Sequence, residues 1–198
     1  GVQDYYYLLG LKKQNVYSTV EEIKNAYRKM SLLCHPDKAS PKDRDLAEAQ
    51  FKQMQKGYET LVDPLRRRKY DSSLPFNDDI PGPDDGGDEK SFFKAYTSQF
   101  NRNARFSVTQ PVPALGDMSS SYEHVDTFYD FWLGFNSWRD FSYLDEHDVA
   151  QAQGRDEKRH MEKKNEKLRA GKKKEETARV RRLVENAMRK DPRIAKAR

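Results

Sequence analysis

Two runs of helical periodicity, parted by a proline, restrict the fold of this chain more than any other feature. In the first, Ile23, Ala26, Tyr27, Met30 and Cys34 fall on one helix face. In the second, from about Asp43, Leu46, Ala47, Phe51, Met54, Tyr58 and Leu61 do the same. His35-Pro36 must end the first run, because the residue before a proline is pushed out of the α region. Residues 38–42 read as a loop. Each stripe needs an apolar partner, so the pair predicts an antiparallel helical hairpin. Ser18-Thr19-Val20-Glu21 opens the first helix as a capping box, with Ser18 or Thr19 as cap and Glu21 or Glu22 as the reciprocal acid. Ahead of it, Asp4-Tyr5-Tyr6-Tyr7-Leu8-Leu9 predicts a short helix stopped by Gly10. Asp63-Pro64 ends the second long helix and opens a short basic turn, Leu65 to Tyr70.

The remainder of the chain is organised by charge and aromatics. Hydrophobic and charged residues each make up 35% of the 198 residues. That balance argues for small cores joined by solvated segments over one large core. Residues 1–73 carry 14 basic and 10 acidic side chains, residues 74–150 carry 5 and 14, and residues 151–198 carry 18 and 8. The net charges of +4, −9 and +10 assign separate roles to separate segments. Residues 74–90 hold Pro75, Pro81, Pro83, Gly82, Gly86, Gly87 and six acids, the composition of a mobile linker. Residues 91–143 hold 14 of the 23 aromatics. Phe92, Phe93, Tyr96 and Phe100 predict one helix, and Val125, Phe128, Tyr129 and Trp132 another, around a small second core. From about Asp145 to Lys190 there is no proline, and Gly154 and Gly171 are the only weak points in a helix-favouring run. Residues 155–178 lack an apolar stripe, as expected of a solvated helix or one on a charged surface. Val180, Leu183, Val184, Ala187 and Met188 restore one, so the last helix should fold back on a partner segment before Asp191-Pro192 stops it.

Several classes are excluded or disfavoured. No run of 18 apolar residues exists, so no membrane span is expected. Residues 1–5 lack the pattern of a secretory signal, and Gly1 in place of an initiator Met suggests a piece of a longer chain. Cys34 is the single cysteine, which rules out an internal disulfide and fits a reducing compartment. Beside His35 it has no third group to orient it, and its place on the apolar stripe predicts a buried core thiol. His124, His147 and His160 have no ligand-like spacing, so no metal is expected. No phosphate-binding glycine loop is present, so neither a bound nucleotide nor any other cofactor is expected. The chain does not read as an enzyme.

Residues 4–71 resemble a J-domain, the module of DnaJ-type co-chaperones. The resemblance rests on Asp4-Tyr5-Tyr6-Tyr7-Leu8-Leu9-Gly10, Ile23 to Met30, His35-Pro36-Asp37-Lys38, Phe51-Lys52 to Leu61, and Asp63-Pro64 to Asp71 in order. It implies that the chain binds an ATP-loaded heat-shock-70 chaperone and triggers its ATP hydrolysis. His35, Pro36 and Asp37 would transmit the signal, and Lys24, Tyr27, Arg28 and Lys29 would help form the contact. The physical logic suits these residues. The lysines and arginine give a positive helix face for an acidic partner. Pro36 fixes the backbone, and the Asp37 carboxylate can accept from a partner arginine. Leu33-Cys34 stands where many relatives carry a basic residue and an aromatic, which would trim the positive face.

Residues 91–198 are similar to the region that follows the J-domain in zuotin-type ribosome-associated J-proteins. The carrying pieces are Val112 to Met118, Val125 to Trp132, Asn136 to Asp145, Arg155 to Arg159, and Asp191-Pro192-Arg193-Ile194. The resemblance implies docking on the large ribosomal subunit, on rRNA and proteins near the nascent-chain exit, in the cytoplasm. It also implies a contact to an atypical heat-shock-70 homologue through a segment ahead of the J-domain, expected to be missing here. The basic run fits docking independently. Arg155, Arg159, Lys163 and Lys167 are spaced at i+4, and Lys158, Lys164, Lys172, Lys173 and Lys174 widen the stripe. Such a stripe neutralises phosphates without reading sequence. The rival reading is a chromatin or tRNA binding protein that carries a J-domain, with a nuclear location; a charged helix bridging two domains is the bland one.

The expected fold is all-α. A J-domain hairpin with short flanking helices would occupy residues 1–73 and an acidic linker 74–90. A small aromatic-cored helical domain would occupy 91–150, leading into a long basic helical segment over 151–198.

Overall fold

The helix boundaries follow from their caps. In the computed structural model, which describes residues 3–11, 15–82, 85 and 87–196, Asp4 accepts from the Tyr7 N–H and starts α1, Tyr5–Leu8. Thr19 and Glu22 form the capping box of α2, Val20–Leu33, each side chain accepting from the other's backbone N–H. A cap of this kind contributes roughly 1 kcal/mol. Asp43 precedes α3, Arg44–Val62. Asp63 accepts from the Arg66 N–H and, with Pro64 in the first turn, starts α4, Pro64–Ser73. The basic turn expected over Leu65–Tyr70 is therefore a ten-residue helix. Proline at the first helical position costs no hydrogen bond, so Asp63-Pro64 ends one helix and begins the next.

These helices make the first of two compact units, Gly1–Pro75. Its core buries Tyr6, Leu9, Ile23, Met54, Leu61 and Tyr70. Gly57 sits mid-helix in α3, where glycine costs about 1 kcal/mol relative to alanine. The structure shows why it is there: a Cβ at this position would come within 3.0 Å of the Tyr5 ring. The ends of the unit are tied by polar contacts. The Tyr6 hydroxyl donates to Asp71 Oδ1 (2.7 Å) and accepts from Arg67 Nε (3.0 Å). Arg67 also donates to the Ser18 and Val16 carbonyls. Tyr70 donates to the Gln3 carbonyl and accepts from the Tyr5 N–H.

Two positions on the predicted stripes are exposed. Cys34 is exposed. It caps α2 with a backbone that has already left the helix (φ −111°, ψ 22°), so the register of the stripe does not carry through it. Leu46, in the first turn of α3, is likewise exposed, at the tip end of the hairpin and away from the buried Met54, Gly57 and Leu61.

The second unit, Phe76–Arg198, has α5 (Glu89–Ala104), α6 (Tyr122–Leu133), α7 (Arg155–Lys190) and α8 (Pro192–Lys196). Asp88 and Ser121 cap α5 and α6 through their side chains. The predicted aromatic faces are the buried ones: Phe92, Tyr96 and Phe100 on α5, and Val125, Phe128, Tyr129 and Trp132 on α6. Phe100 packs edge-on to Phe128 and tilted on Trp132, each at 4.8 Å. Val180, Leu183, Val184 and Ala187 of α7 complete this core. The basic region and the aromatic region therefore share one core, and the last predicted helix is the end of a single 36-residue helix running through Gly171. Extended pairing among the described residues is limited to an isolated bridge between Ser107 and Ser137.

The Asp191-Pro192-Arg193 corner closes this unit. Tyr129 donates to Asp191 Oδ2 (2.7 Å), and Arg193 donates to both Asp191 oxygens and to the Leu115 carbonyl (2.7 Å). The turn that presents this carbonyl needs Gly116, which has φ +75° and where a Cβ would lie 2.3 Å from Ser120 Oγ. The Val112–Met118 motif and the Asp191–Ile194 motif are thus two halves of one lock.

From Phe76 on, the segment expected as a mobile linker belongs to this unit. Phe76 packs edge-on to Phe106 at 5.1 Å, Asp78 pairs with Arg139 and Arg179, and Ile80 packs on the aromatic core. Lys190 donates to the carbonyls of Gly82 (3.1 Å) and Asp85. Pro83, Asp84 and Gly86 lie outside the described residues.

Candidate functional site

The first site is the tip of the hairpin. Pro36–Lys38 form a single 3-10 turn, with Pro36 in its first position and His35 as its cap. His35 Nδ1 accepts from the Asp37 N–H at 3.2 Å. That nitrogen's lone pair is thereby used, so its 3.5 Å approach to Asp37 Oδ2 is a close contact and not an ion pair. The His35 ring meets the Phe51 edge at 5.5 Å. Lys38 Nζ donates to the Leu32 carbonyl, binding the turn to the open end of α2. The tripeptide is thus held by its backbone and by the imidazole. The Asp37 carboxylate is left outward, with 82% of its side chain exposed. An exposed carboxylate at a fixed position offers a bidentate acceptor to a guanidinium.

The basic residues of α2 lead to this tip. Arg28 and Lys29 are exposed and Lys24 is half-buried. Lys24 and Arg28 are one helical turn apart, while Lys29 sits about 100° further round. Arg28 is oriented by a 3.2 Å bond to Asn25 Oδ1. Tyr27 stacks flat on Tyr58 of α3, centroids 4.0 Å apart, so it braces the hairpin with one ring face. Beside the tip, Met30, Cys34, Phe51, Met54, Tyr7 and Leu8 line an apolar groove of about 470 Å³. Exposed Leu32 and Leu33 extend the apolar surface. Periodicity alone does not show this apolar component, because it places Met30, Cys34, Phe51 and Met54 on stripes facing the interior.

The second site is the outer face of α7. Arg155, Lys158, Arg159, Lys163, Lys164, Lys167 and Lys174 are all exposed. Lys172 and Lys173 are half-buried and engaged: Lys172 with Glu175 (2.9 Å), which raises its ammonium pKa, and Lys173 with the Ser137 carbonyl. At 3.6 residues per turn the solvent-facing arc from residue 159 carries Arg159, Lys163, Lys167, Lys174 and Arg181. Ala170, Gly171 and Ala178 lie between the later ones, all of them exposed. No acid falls on that arc before Glu185. It spans about 33 Å at 1.5 Å per residue. Arg181 was not among the predicted residues; the seven-residue steps 167, 174 and 181 are the signal that marks it.

Polar contacts hold this part of α7 in place. Buried Asn165 accepts from the His147 N–H and donates to the His147 carbonyl. Arg169 forks onto the Asp145 carboxylate. Glu176 pairs with Arg139 at 3.4 Å, and Arg179 donates to Asn103 Oδ1 at 2.7 Å. The helix over 161–179 is therefore docked, although it lacks an apolar stripe.

Comparison with known proteins matches both regions. A family model described as a DnaJ domain covers residues 4–71. Another, described as Zuotin-like, zuotin homology domain, covers residues 91–195. The chain belongs to the zuotin-like family of J-domain co-chaperones. Among relatives of this family, the chain is 45% identical over 198 residues to DnaJ homolog subfamily C member 2 from Homo sapiens. That alignment takes in 98% of this chain and 32% of the relative. It is 44% identical to Zuotin from Schizosaccharomyces pombe, covering 97% of this chain and 43% of that protein. For Zuotin from Saccharomyces cerevisiae the figures are 42%, 96% and 44%. The chain thus spans between about a third and less than half of these relatives' length. No helix among the described residues is long and apolar enough to cross a membrane, and no group of three or more potential metal ligands is found among them.

Proposed function

We propose that this chain couples two activities on its two units. The first unit stimulates ATP hydrolysis by a heat-shock-70 chaperone, and the second docks the chain on the ribosome. Family membership supports both, and the observation that carries the first is the Asp37 carboxylate, exposed on a turn fixed from both sides. In this reading an arginine of the ATP-loaded chaperone bonds Asp37, with Lys24, Arg28 and Lys29 steering an acidic surface toward the tip. The apolar groove and Leu32 supply the area that a charged contact alone lacks. The J-domain contributes no chemistry to ATP; it selects the hydrolysis-competent state of its partner by binding it better.

Docking is assigned to the acid-free arc of α7. A straight helix with cations every one to two turns suits the phosphate backbone of an RNA helix. Ala170, Gly171 and Ala178 allow close approach between them. The chaperone acts on nascent chains in the cytoplasm in this reading, and further partners belong to parts of the relatives this chain does not span.

The test of the first activity is single-turnover ATPase with a cytosolic heat-shock-70 chaperone. Asp37→Asn preserves the turn, because the side chain of Asp37 holds no part of it together. Stimulation should fall to the rate of the chaperone alone while the circular dichroism spectrum is unchanged. Retained stimulation would overturn the assignment.

A further inference from the structure

The second unit buries three charged side chains whose hydrogen-bonding capacity is only partly used. Arg139, Glu176 and Arg179 are each more than nine-tenths buried, and each has a polar atom with no hydrogen-bond partner: Nε of Arg139, Oε2 of Glu176 and Nη1 of Arg179. Buried groups of this kind are costly unless something satisfies them. The two guanidiniums share one further counterion, Asp78. A single oxygen, Oδ1, serves both, at 3.2 Å from Arg139 Nη1 and 3.6 Å from Arg179 Nε. Asp78 is itself 56% exposed. Burial, more than any neighbour, pulls the Arg179 pKa below its usual range, and Asp78 and Glu176 offset it only in part.

These groups line a cavity of about 480 Å³, which the Lys172–Glu175 pair and the exposed Arg182 also border. Asp78 belongs to the segment that enters the unit from the J-domain side of the chain. Two residues before it, the Phe76 ring lies against the guanidiniums of Arg105, Arg139 and Arg179, 4.7 to 5.7 Å from its centroid. The segment is therefore held by one carboxylate, shared and half-exposed, and one ring among cations, while Glu176 is the second counterion of Arg139. A phosphate group presents several oxygens at once and can bond two guanidiniums together, which one carboxylate oxygen does poorly.

We propose that this cavity is a phosphate-group site, and that a phosphate bound there takes the place of Asp78 on Arg139 and Arg179 and frees residues 76–79 from the second unit. Ile80, packed on the aromatic core, and Pro81, buried, stay in place. Leu74 packs in the first core, so Pro75 alone now separates the two packed stretches. Release adds four residues to that tether, about 14 Å of reach at ~3.5 Å per residue. The site would thereby set the length of free chain between the two cores.

The experiment uses the full chain at constant ionic strength, in chloride, with inorganic phosphate, and with a short RNA duplex. Arginine side-chain Nε–Hε resonances report binding, and chymotryptic cleavage after Phe76 reports release. With phosphate, the Arg139 and Arg179 signals should shift and cleavage after Phe76 should quicken at least ten-fold over chloride. A response to inorganic phosphate makes the free ion sufficient; a response to RNA alone assigns the site to a phosphodiester. Unmoved arginine signals in both, or moved signals with unchanged cleavage, would overturn the proposal. Asp78→Asn should cleave rapidly without any phosphate, and slow cleavage in that variant would also overturn it. The wild-type titration stands without the variant.

Discussion

Each unit is closed by a buried triad of tyrosine, aspartate and arginine, yet the two triads work in different settings. In the first unit Tyr6, Asp71 and Arg67 join α1 to α4, around a core already closed by apolar stripes. In the second, Tyr129, Asp191 and Arg193 join α6 to the α7–α8 corner, and Arg193 reaches on to the Leu115 carbonyl. Both arginines gather remote carbonyls, Arg67 those of Val16 and Ser18 and Arg193 that of Leu115, but only the first does so around a core that apolar periodicity already specifies. The wider contrast has the same form. The hairpin rests on apolar periodicity and leaves its working residues at an exposed tip. The second unit positions its working helix through Asn165, Arg169, Glu176 and Arg179, side chains that pair with partners distant in sequence.

Three stability measurements break or sharpen this contrast. The largest effect is expected from Asp191→Ala, which leaves the Tyr129 hydroxyl and the Arg193 guanidinium buried without their shared acceptor. The loss should be about 3–5 kcal/mol, confined to the second unit. Urea unfolding followed by the tryptophans, both of which lie in that unit, checks it; an unchanged midpoint would remove the triad from the account. Next is Tyr6→Phe, which removes one hydroxyl from a core otherwise intact. Its cost should be about 1–2 kcal/mol, read from the unfolding of the first unit. A loss as large as that of Asp191→Ala would erase the difference between the two triads.

The third is pH dependence, followed in each unit separately. Burial pushes the Asp191 pKa up, but its bonds from Arg193 and Tyr129 outweigh that and hold it below the usual carboxylate value. A depressed carboxylate pKa stabilises above its unfolded value, near 3.9, and that stability is lost as pH falls through the folded one. The second unit should therefore weaken below about pH 4, and Asp191→Asn should remove that contribution. At the alkaline end both units carry buried phenols. Burial is the main cause for Tyr6 and Tyr129, raised by it and by their aspartates, and for Tyr70, pushed up to about 12. A phenol with a raised pKa stabilises fully below about pH 10 and loses that stability as pH rises further. Thermal unfolding across pH should show a common alkaline decline and an acid decline in which Asp191 acts on the second unit alone.

What was legible in the sequence follows the same division. The hairpin, its ending at His35-Pro36 and the aromatic faces of α5 and α6 could be read because apolar spacing encodes which face is buried. The tip tripeptide could be placed because proline and the capping residues act locally. The inward turn of Lys173 could not, since it depends on the Ser137 carbonyl 36 residues away. Neither could the attachment of Phe76 and Asp78. Proline, glycine and acid content describe a loop's solvation, while the arginines that hold these two residues come from α7 and from the segment after α6. Cys34 shows the limit of periodicity at a helix end: a stripe counted one residue too far predicts burial where the backbone has already turned away.

The central claim is that two units carry two separable activities. It is tested most directly by measuring both on the same preparations: ribosome co-sedimentation across a salt series, and single-turnover ATPase stimulation in solution. The variants are Asp37→Asn and the double substitution Arg155→Glu/Arg159→Glu. Wild-type binding should fall steeply with salt, as phosphate contacts require. Asp37→Asn should sediment like wild type without stimulating, and the double variant should stimulate like wild type while losing most of its ribosome binding. If either variant, still folded, lost both activities together, the division of labour argued here would be contradicted.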